Sequence, residues 1–131
     1  MNSPGLAQRI EWIEAGYEYL LAYAAQGRRD DSGSEVRRTL SQMQSALDGL
    51  GEVITAAFTA TGKLADGGAF FEAVSRDAHI AHGAISLVLT RSAISSLLVD
   101  NLNASIHVRA LLTDMFLIDE ALKISLRMES V

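Results

Sequence analysis

The sequence contains no cysteine, a single proline and few aromatic residues, and each shortage narrows the class of protein. The absence of cysteine excludes disulfides and thiolate metal sites and leaves the redox compartment open. One proline (Pro4), with glycines concentrated at a few positions, favours helices over a sandwich or barrel of many turns. Hydrophobic residues make up 49% of the chain and aromatic residues 6%, so we expect an aliphatic, alanine-rich core.

The chain also lacks a basic stripe and a long apolar run. It has 11 Lys and Arg against 16 Asp and Glu, and this acidic balance disfavours a nucleic-acid partner. There is no run of about 18 uninterrupted apolar residues, so we expect no membrane span. Charged residues such as Arg9, Glu11 and Glu14 interrupt the apolar residues near the start, unlike in a signal peptide. We therefore expect a cytoplasmic protein with one helical-bundle domain over residues 1–131.

Apolar residues recur at helical steps of three and four in four long segments. The first predicted helix begins at Ser3-Pro4, a hydroxyl cap followed by proline, and ends at Gly27. The second begins after a capping box that starts at Ser32 and runs to about Thr61. Two glycines flank Leu50 within it, which indicates either close approach of a neighbouring helix or a kink.

The third predicted helix runs from Ala69 to Val99, and the fourth from about Ala104 to Met128. Between them, residues 100–103 (Asp-Asn-Leu-Asn) are the first candidate for the turn and residues 95–96 (Ser-Ser) the second. The predicted core seam of the third helix is Phe71, Val74, Ala78, Ala81, Ile85 and Val88. Four long helices with short links predict an all-α, antiparallel up-and-down four-helix bundle.

The fourth helix carries two apolar stripes, although a single bundle core needs only one. The first contains Ile106, Ala110, Thr113, Leu117, Ala121, Ile124 and Met128, and the second contains Val108, Leu111, Met115, Ile118, Leu122 and Leu126. Surplus apolar surface usually marks an interface, so the second stripe is the predicted interface of an oligomer. The small residues of the third helix, from Ala78 to Ser86, would support it by allowing close packing.

The segment from Arg76 to Gly83 contains two of the three histidines. His79-Ile80-Ala81-His82-Gly83 resembles the phosphoacceptor motif of histidine phosphotransfer domains, which are four-helix bundles with His-x-x-Lys-Gly on one helix. The resemblance implies His79 as the phosphoacceptor and Gly83 as the gap through which a response regulator approaches. His82 occupies the position of the family's lysine.

Two further functions fit the same segment. Arg76 followed by His82 resembles the Arg-x(4–6)-His motif of the HEPN nucleases, which implies cleavage of an RNA phosphodiester at a dimer interface. Alternatively, His79 and His82 lie near Glu72 on one helical face and could bind a divalent metal. The metal site would need a carboxylate from the first helix, at Glu11, Glu14 or Glu18. A structural role for both histidines beside the core seam is the simplest hypothesis.

The sequence therefore favours a non-catalytic protein that acts through protein–protein contact, as a homodimer or as a partner-binding or regulatory subunit. No cofactor or metal is predicted. An enzyme is the minority interpretation, with Arg76, His79 and His82 as its candidate catalytic residues.

Overall fold

The computed structural model describes residues 5–61, 68–106 and 108–129, and the side chains of these except 60–61, 106 and 124–129. The described part of the chain is helical and contains no strand, which confirms the all-α prediction. Its helices are α1 (Leu6–Ala24), α2 (Val36–Leu47), α3 (Leu50–Thr61), α4 (Gly68–Leu89), α5 (Ser96–Ile106) and α6 (Val108–Glu129). None of these helices is long and apolar enough to span a membrane.

The helices surround one hydrophobic core. α1 packs mainly against α2 and α5, and α4 packs against α2, α3 and α5. Most of the fully buried side chains are aliphatic, and they come from every helix: Ile13, Leu20, Leu40, Met43, Ile54, Ile85, Val99 and Met115. The six residues predicted for the core seam of the third helix are the six buried residues of α4, so the helical spacing identified that face correctly.

The predicted second helix is two helices, because the chain turns at Asp48 and Gly49. Asp48 is extended, with a ψ of 123°, and Gly49 has a φ of +71°, a conformation that side-chain-bearing residues rarely adopt. Two residues later, a Cβ on Gly51 would overlap the Ser75 hydroxyl of α4. The glycine pair therefore produces both effects that its sequence indicates, a break at Gly49 and a close helix approach at Gly51.

The predicted third helix ends ten residues early, at Leu89 instead of Val99. Residues 100–103, the first candidate for the turn, lie inside α5, and the second candidate, residues 95–96, marks where α5 begins. The Ser95 hydroxyl accepts a hydrogen bond from the Leu98 amide at 3.0 Å and so caps α5. Asp and Asn favour turns locally, but the Ser95 cap and the burial of Val99 in the core stabilise a helix there, so residues 100–103 are helical.

A network of hydrogen bonds joins the α1–α2 loop to the α4–α5 loop, and we call its four side chains, Tyr23, Asp31, Arg37 and Ser96, the clasp. The Tyr23 hydroxyl donates to the Ile94 carbonyl at 2.5 Å. Buried Ser96 accepts from the Arg28 amide at 2.8 Å and donates to the Tyr23 carbonyl at 2.7 Å. The clasp thus holds the start of α5 against the end of α1.

Asp31 is the charged centre of the clasp. It accepts hydrogen bonds from the Ile94 amide at 2.9 Å and from Arg37 Nε at 2.7 Å. The Ile94 hydrogen bond, followed by the one from Arg37, lowers the pKa of Asp31 below its ordinary value. Arg37 also donates to the carbonyls of Leu89, at 3.2 Å, and Arg91, at 2.6 Å. These last two bonds satisfy carbonyls at the end of α4.

The apolar stripe of α6 that was predicted to be an interface lies in the chain's own core. Val108, Leu111, Met115 and Ile118 are at most 2% exposed, and Leu122 is half-buried against the core. The side chain of Leu126 lies outside the described part of the structure. In the other stripe, Ala110, Thr113 and Leu117 are exposed, Leu117 at 61%, and Ala121 is half-buried against the core. The stripe that was predicted to be an interface is therefore part of the core. The sequence alone did not distinguish the two stripes, because both are apolar and only the packing of α6 decides which one is buried.

Candidate functional site

A groove of about 1320 Å³ lies between α4 and the α2–α3 turn with the first turns of α3. All three residues that the sequence singles out for catalysis, Arg76, His79 and His82, line it. Arg76 and His79 are exposed, and His82 is half-buried. The sequence motif therefore lies on the wall of a groove.

Helical spacing explains why these residues share a wall of the groove. Glu72, Ser75, His79 and His82 follow one another at steps of three and four, so they lie along one side of α4. This side is distinct from the core seam, and its backbone is tied to α2 where the Gln44 side chain donates to the His82 carbonyl at 3.4 Å. The facing wall contributes the carboxylates of Asp48 and Glu52.

The position of His79 meets the main requirement of a phosphoacceptor, which is access for a second protein. Its side chain is exposed on the middle of a long helix. Gly83, one turn further on, is also exposed, and no atom lies within 4 Å of the place a Cβ would occupy. A protein that approaches His79 would meet little steric obstruction at Gly83.

The nuclease hypothesis receives less support from the groove. Arg76 and His82 both line it, but Asp48, Glu52 and Glu72 line it too. Carboxylates at this position repel the phosphodiester that Arg76 would have to hold. The groove is thus of mixed charge and is not a basic cleft.

The structure does not bring together the ligands of the hypothetical metal site. Within the described residues, no three His, Asp or Glu side chains are close enough to share a metal ion. The carboxylates of Glu11, Glu14 and Glu18 are exposed on α1, which packs mainly against α2 and α5. The His79–His82 pair therefore has no carboxylate from α1 beside it.

A second surface on α4 lies beside the groove, and we call it the outer face. Sequence reasoning named its small residues Gly83 and Ala84 as a support for close packing but missed its exposed apolar residues. Ile80 is 55% exposed and Leu87 is 65% exposed, although both lie within a well-packed helix. The outer face consists of Asp77, Ile80, Gly83, Ala84, Leu87 and Arg91. Ala84 is half-buried at the edge of the chain's own core, and the other five are exposed. The available signal was a second three-four seam on the same helix, at 77, 80, 84, 87 and 91.

No contact within the described chain explains why residue 83 of the outer face is a glycine. Gly16 and Gly51 are needed where they are, because a Cβ would overlap Met43 or Ser75. Gly83 has nothing near its missing Cβ and does not adopt a positive φ. A glycine inside a helix costs about 1 kcal/mol relative to alanine. No contact within the described chain requires a glycine at this position, whereas close approach of another molecule would.

Another exposed apolar patch lies on α6. Phe116 is 45% exposed and Leu117 is 61% exposed, and both belong to the face of α6 that points away from the core. This patch is the natural comparison for the outer face of α4, since the two offer side chains of similar size and exposure.

Comparison of the chain with models of known protein families, with curated proteins and with solved structures finds no match.

Proposed function

We propose that the protein acts without catalysis, through protein–protein contact, and that the outer face of α4 is the contact surface. The observation that carries the proposal is the pair Ile80 and Leu87, each more than half exposed on the same face of one helix. Burying a fully exposed Ile or Leu side chain contributes about 1.5–3 kcal/mol to an association before the costs of binding, and Ile80 and Leu87 would each contribute somewhat more than half of that. Gly83 between them allows a partner backbone to come close.

The proposal includes the finer architecture that the sequence predicts. In this arrangement one antiparallel bundle domain has four members. α1 and α4 are single members, α2 and α3 together form another, and α5 and α6 together form the fourth. The packing of α1 against α2 and α5, and of α4 against α2, α3 and α5, supports it. Such a bundle places α4 with one face in the core and the opposite face in solvent, where a partner can reach it.

Site-specific photocrosslinking tests the proposed surface. The protein is produced in the organism it comes from, with a benzophenone amino acid in place of Leu87. Leu117 has a similar exposure and is the matched control position. We expect a covalent adduct with a polypeptide from position 87, and its loss when Ile80→Glu is added, because the charge disrupts an apolar contact. Adducts from position 117 alone, or adducts from 87 that persist with Ile80→Glu, contradict the proposal.

Histidine phosphotransfer is the second candidate, and the exposure of His79 beside Ile80 and Gly83 favours it. In this function a phosphorylated receiver domain docks on the outer face of α4. An imidazole nitrogen of His79 attacks the receiver's aspartyl phosphate, so an N–P bond forms and the aspartate carboxylate leaves.

Incubation with phosphorylated receiver domains tests this candidate. It predicts an acid-labile phosphate on the protein that disappears in His79→Gln and persists in the control His82→Gln. No acid-labile phosphate on the wild-type protein, or a phosphate that survives His79→Gln, contradicts it.

A further inference from the structure

We infer that the partner for the outer face of α4 is a second copy of this chain, bound with the two α4 helices antiparallel and a two-fold axis at Ala84. The inference rests on the proposed function, since it names the partner for the same surface. The evidence for it is the order of small, apolar and charged residues along the outer face.

The residue types along the outer face follow the same order from both ends. They are Asp77, Ile80, Ala84, Leu87 and Arg91, where Ile80 lies four residues before Ala84 and Leu87 three residues after it, a difference of about 1.5 Å along the helix. A small residue is at the centre, an aliphatic residue lies on either side, and one charge of each sign closes the ends. A two-fold interface must be complementary to itself, and this order meets that condition.

Arg91 belongs to the seam although α4 ends at Leu89. The Thr90 amide still donates to the Ser86 carbonyl at 3.2 Å, and the Arg91 amide donates to the Val88 carbonyl at 3.0 Å. The chain therefore continues to turn in the helical sense through Arg91, which follows Leu87 by about one turn.

An antiparallel pairing about Ala84 matches each side chain with a suitable one. Ala84 lies against Ala84 of the partner subunit, and Ile80 lies against Leu87 of the partner subunit. Asp77 meets Arg91 of the partner subunit, and the same pair forms again at the other end. Ala84 and Gly83 at the centre let the two helices approach closely.

The charges select the antiparallel orientation. A parallel pairing in register would place Asp77 against Asp77 and Arg91 against Arg91, and like charges in such a contact repel. Both charges are available for a partner. Asp77 is exposed and forms no ion pair with the described residues, and the Arg91 guanidinium bonds only to the neighbouring Thr90 hydroxyl.

Sedimentation of the charge-reversed variants over a range of concentrations tests the orientation. The wild-type chain forms a dimer in a concentration-dependent way. Asp77→Arg and Arg91→Asp each raise the dissociation constant by about tenfold or more, because attraction becomes repulsion at both ends. The double variant Asp77→Arg/Arg91→Asp restores the dissociation constant to within about threefold of wild type, because the two pairs re-form with their signs exchanged. Circular dichroism of each variant checks that these exposed substitutions leave the fold intact.

A second experiment uses the absence of cysteine. Ala84→Cys introduces one thiol per chain, and the proposed axis places the two thiols of a dimer close enough for a disulfide. Mild oxidation yields a covalent dimer of this variant and not of the matched control Leu117→Cys. Equal yields from both positions, or dimer from position 117 alone, overturn the inference.

Failure of the inference is distinguishable from failure of the proposed function. A wild-type chain that stays monomeric at every concentration, or a double variant that fails to recover, overturns the two-fold dimer. If the crosslinker at position 87 then still captures a different polypeptide in an Ile80-dependent way, the outer face remains a docking surface and only its occupant changes. If position 87 captures neither self nor another chain, both are overturned.

Discussion

The clasp binds the backbone of Leu89 and Arg91 at the end of α4, so it adjoins the outer face of that helix, but the two regions differ in how their side chains are used. At the clasp, Tyr23, Asp31 and Ser96 are half-buried or buried, and each has partners within the chain. On the outer face, Ile80 and Leu87 are more than half exposed. Contacts within the chain thus account for the clasp residues, whereas the packing of the described chain leaves Ile80 and Leu87 exposed.

The glycines show the same contrast within a single residue type. Gly51 is required by the Ser75 side chain of α4, whereas Gly83, on α4 itself, lies in open space. A residue that destabilises its own helix, and that no internal contact requires, points to an external contact. The comparison therefore separates residues kept for the fold from residues available for function, and four substitutions test it.

The largest effect is expected at Gly51. Gly51→Ala lowers the free energy of unfolding by about 1–3 kcal/mol, because the added Cβ overlaps the Ser75 side chain and forces α3 and α4 apart. Chemical denaturation measures the change. Adding Ser75→Gly removes the overlapping atoms and recovers part of the loss, whereas no recovery would show that the contact is not the cause.

The next effect is expected at the clasp. Asp31→Asn lowers the free energy of unfolding by about 1 kcal/mol at neutral pH, because the amide keeps the shape but loses the charge that Arg37 faces. The pKa of Asp31 is lowered in the fold, so its stabilisation is fully present above the ordinary carboxyl pKa. It is lost as the pH falls through the lowered pKa.

Urea denaturation at a series of acidic pH values checks the sign of this effect. The difference in unfolding free energy between wild type and Asp31→Asn shrinks as the pH falls. A difference that stays constant or grows at acidic pH would mean that the Asp31 charge does not stabilise the clasp.

The expected effect at Gly83 is smaller and has the opposite sign. Gly83→Ala raises the free energy of unfolding by about 0.5–1 kcal/mol, because alanine favours the helix and its Cβ meets no atom. Denaturation of dilute protein measures this gain without a contribution from association. A loss of stability would show that the fold itself needs this glycine, and the contrast with Gly51 would fail.

Much of the fold was predictable because helical spacing is a local property. The core seam of α4 from Phe71 to Val88 was identified in full, since one stripe of apolar residues outlines one face. The sequence indicated a kink as one of two interpretations of the glycine pair but did not place a helix end at Leu47, which depends on the positive φ of Gly49. The helix end at Leu89 was missed, because it depends on a tertiary contact in which Arg37 binds the carbonyls at the end of α4.

The candidate site was predictable only in part. Arg76, His79 and His82 form a recognisable motif, and they do line one groove. The stripe of α6 that was predicted to be an interface is buried in the core. The sequence did not show this, because Met115 and Leu117 are both apolar and only the neighbouring helices decide which is buried. The outer face of α4 was missed because Ile80 and Leu87 are read as ordinary helix residues until their exposure is seen.

The smallest effect on stability is expected at Ile80. Ile80→Glu changes the free energy of unfolding by less than about 0.5 kcal/mol, because the side chain is 55% exposed and the substitution lies outside the core. A large loss, measured by chemical denaturation, would show that Ile80 is structural and would remove the main support for a docking surface.

The average molecular mass in solution, measured against concentration for wild type, Ile80→Glu and Leu117→Glu, shows whether the outer face of α4 is where two copies of the chain meet. If it is, wild type and Leu117→Glu approach the mass of a dimer as the concentration rises, and Ile80→Glu remains a monomer. A dimer of Ile80→Glu as stable as that of wild type, or a dimer that only Leu117→Glu abolishes, would contradict it.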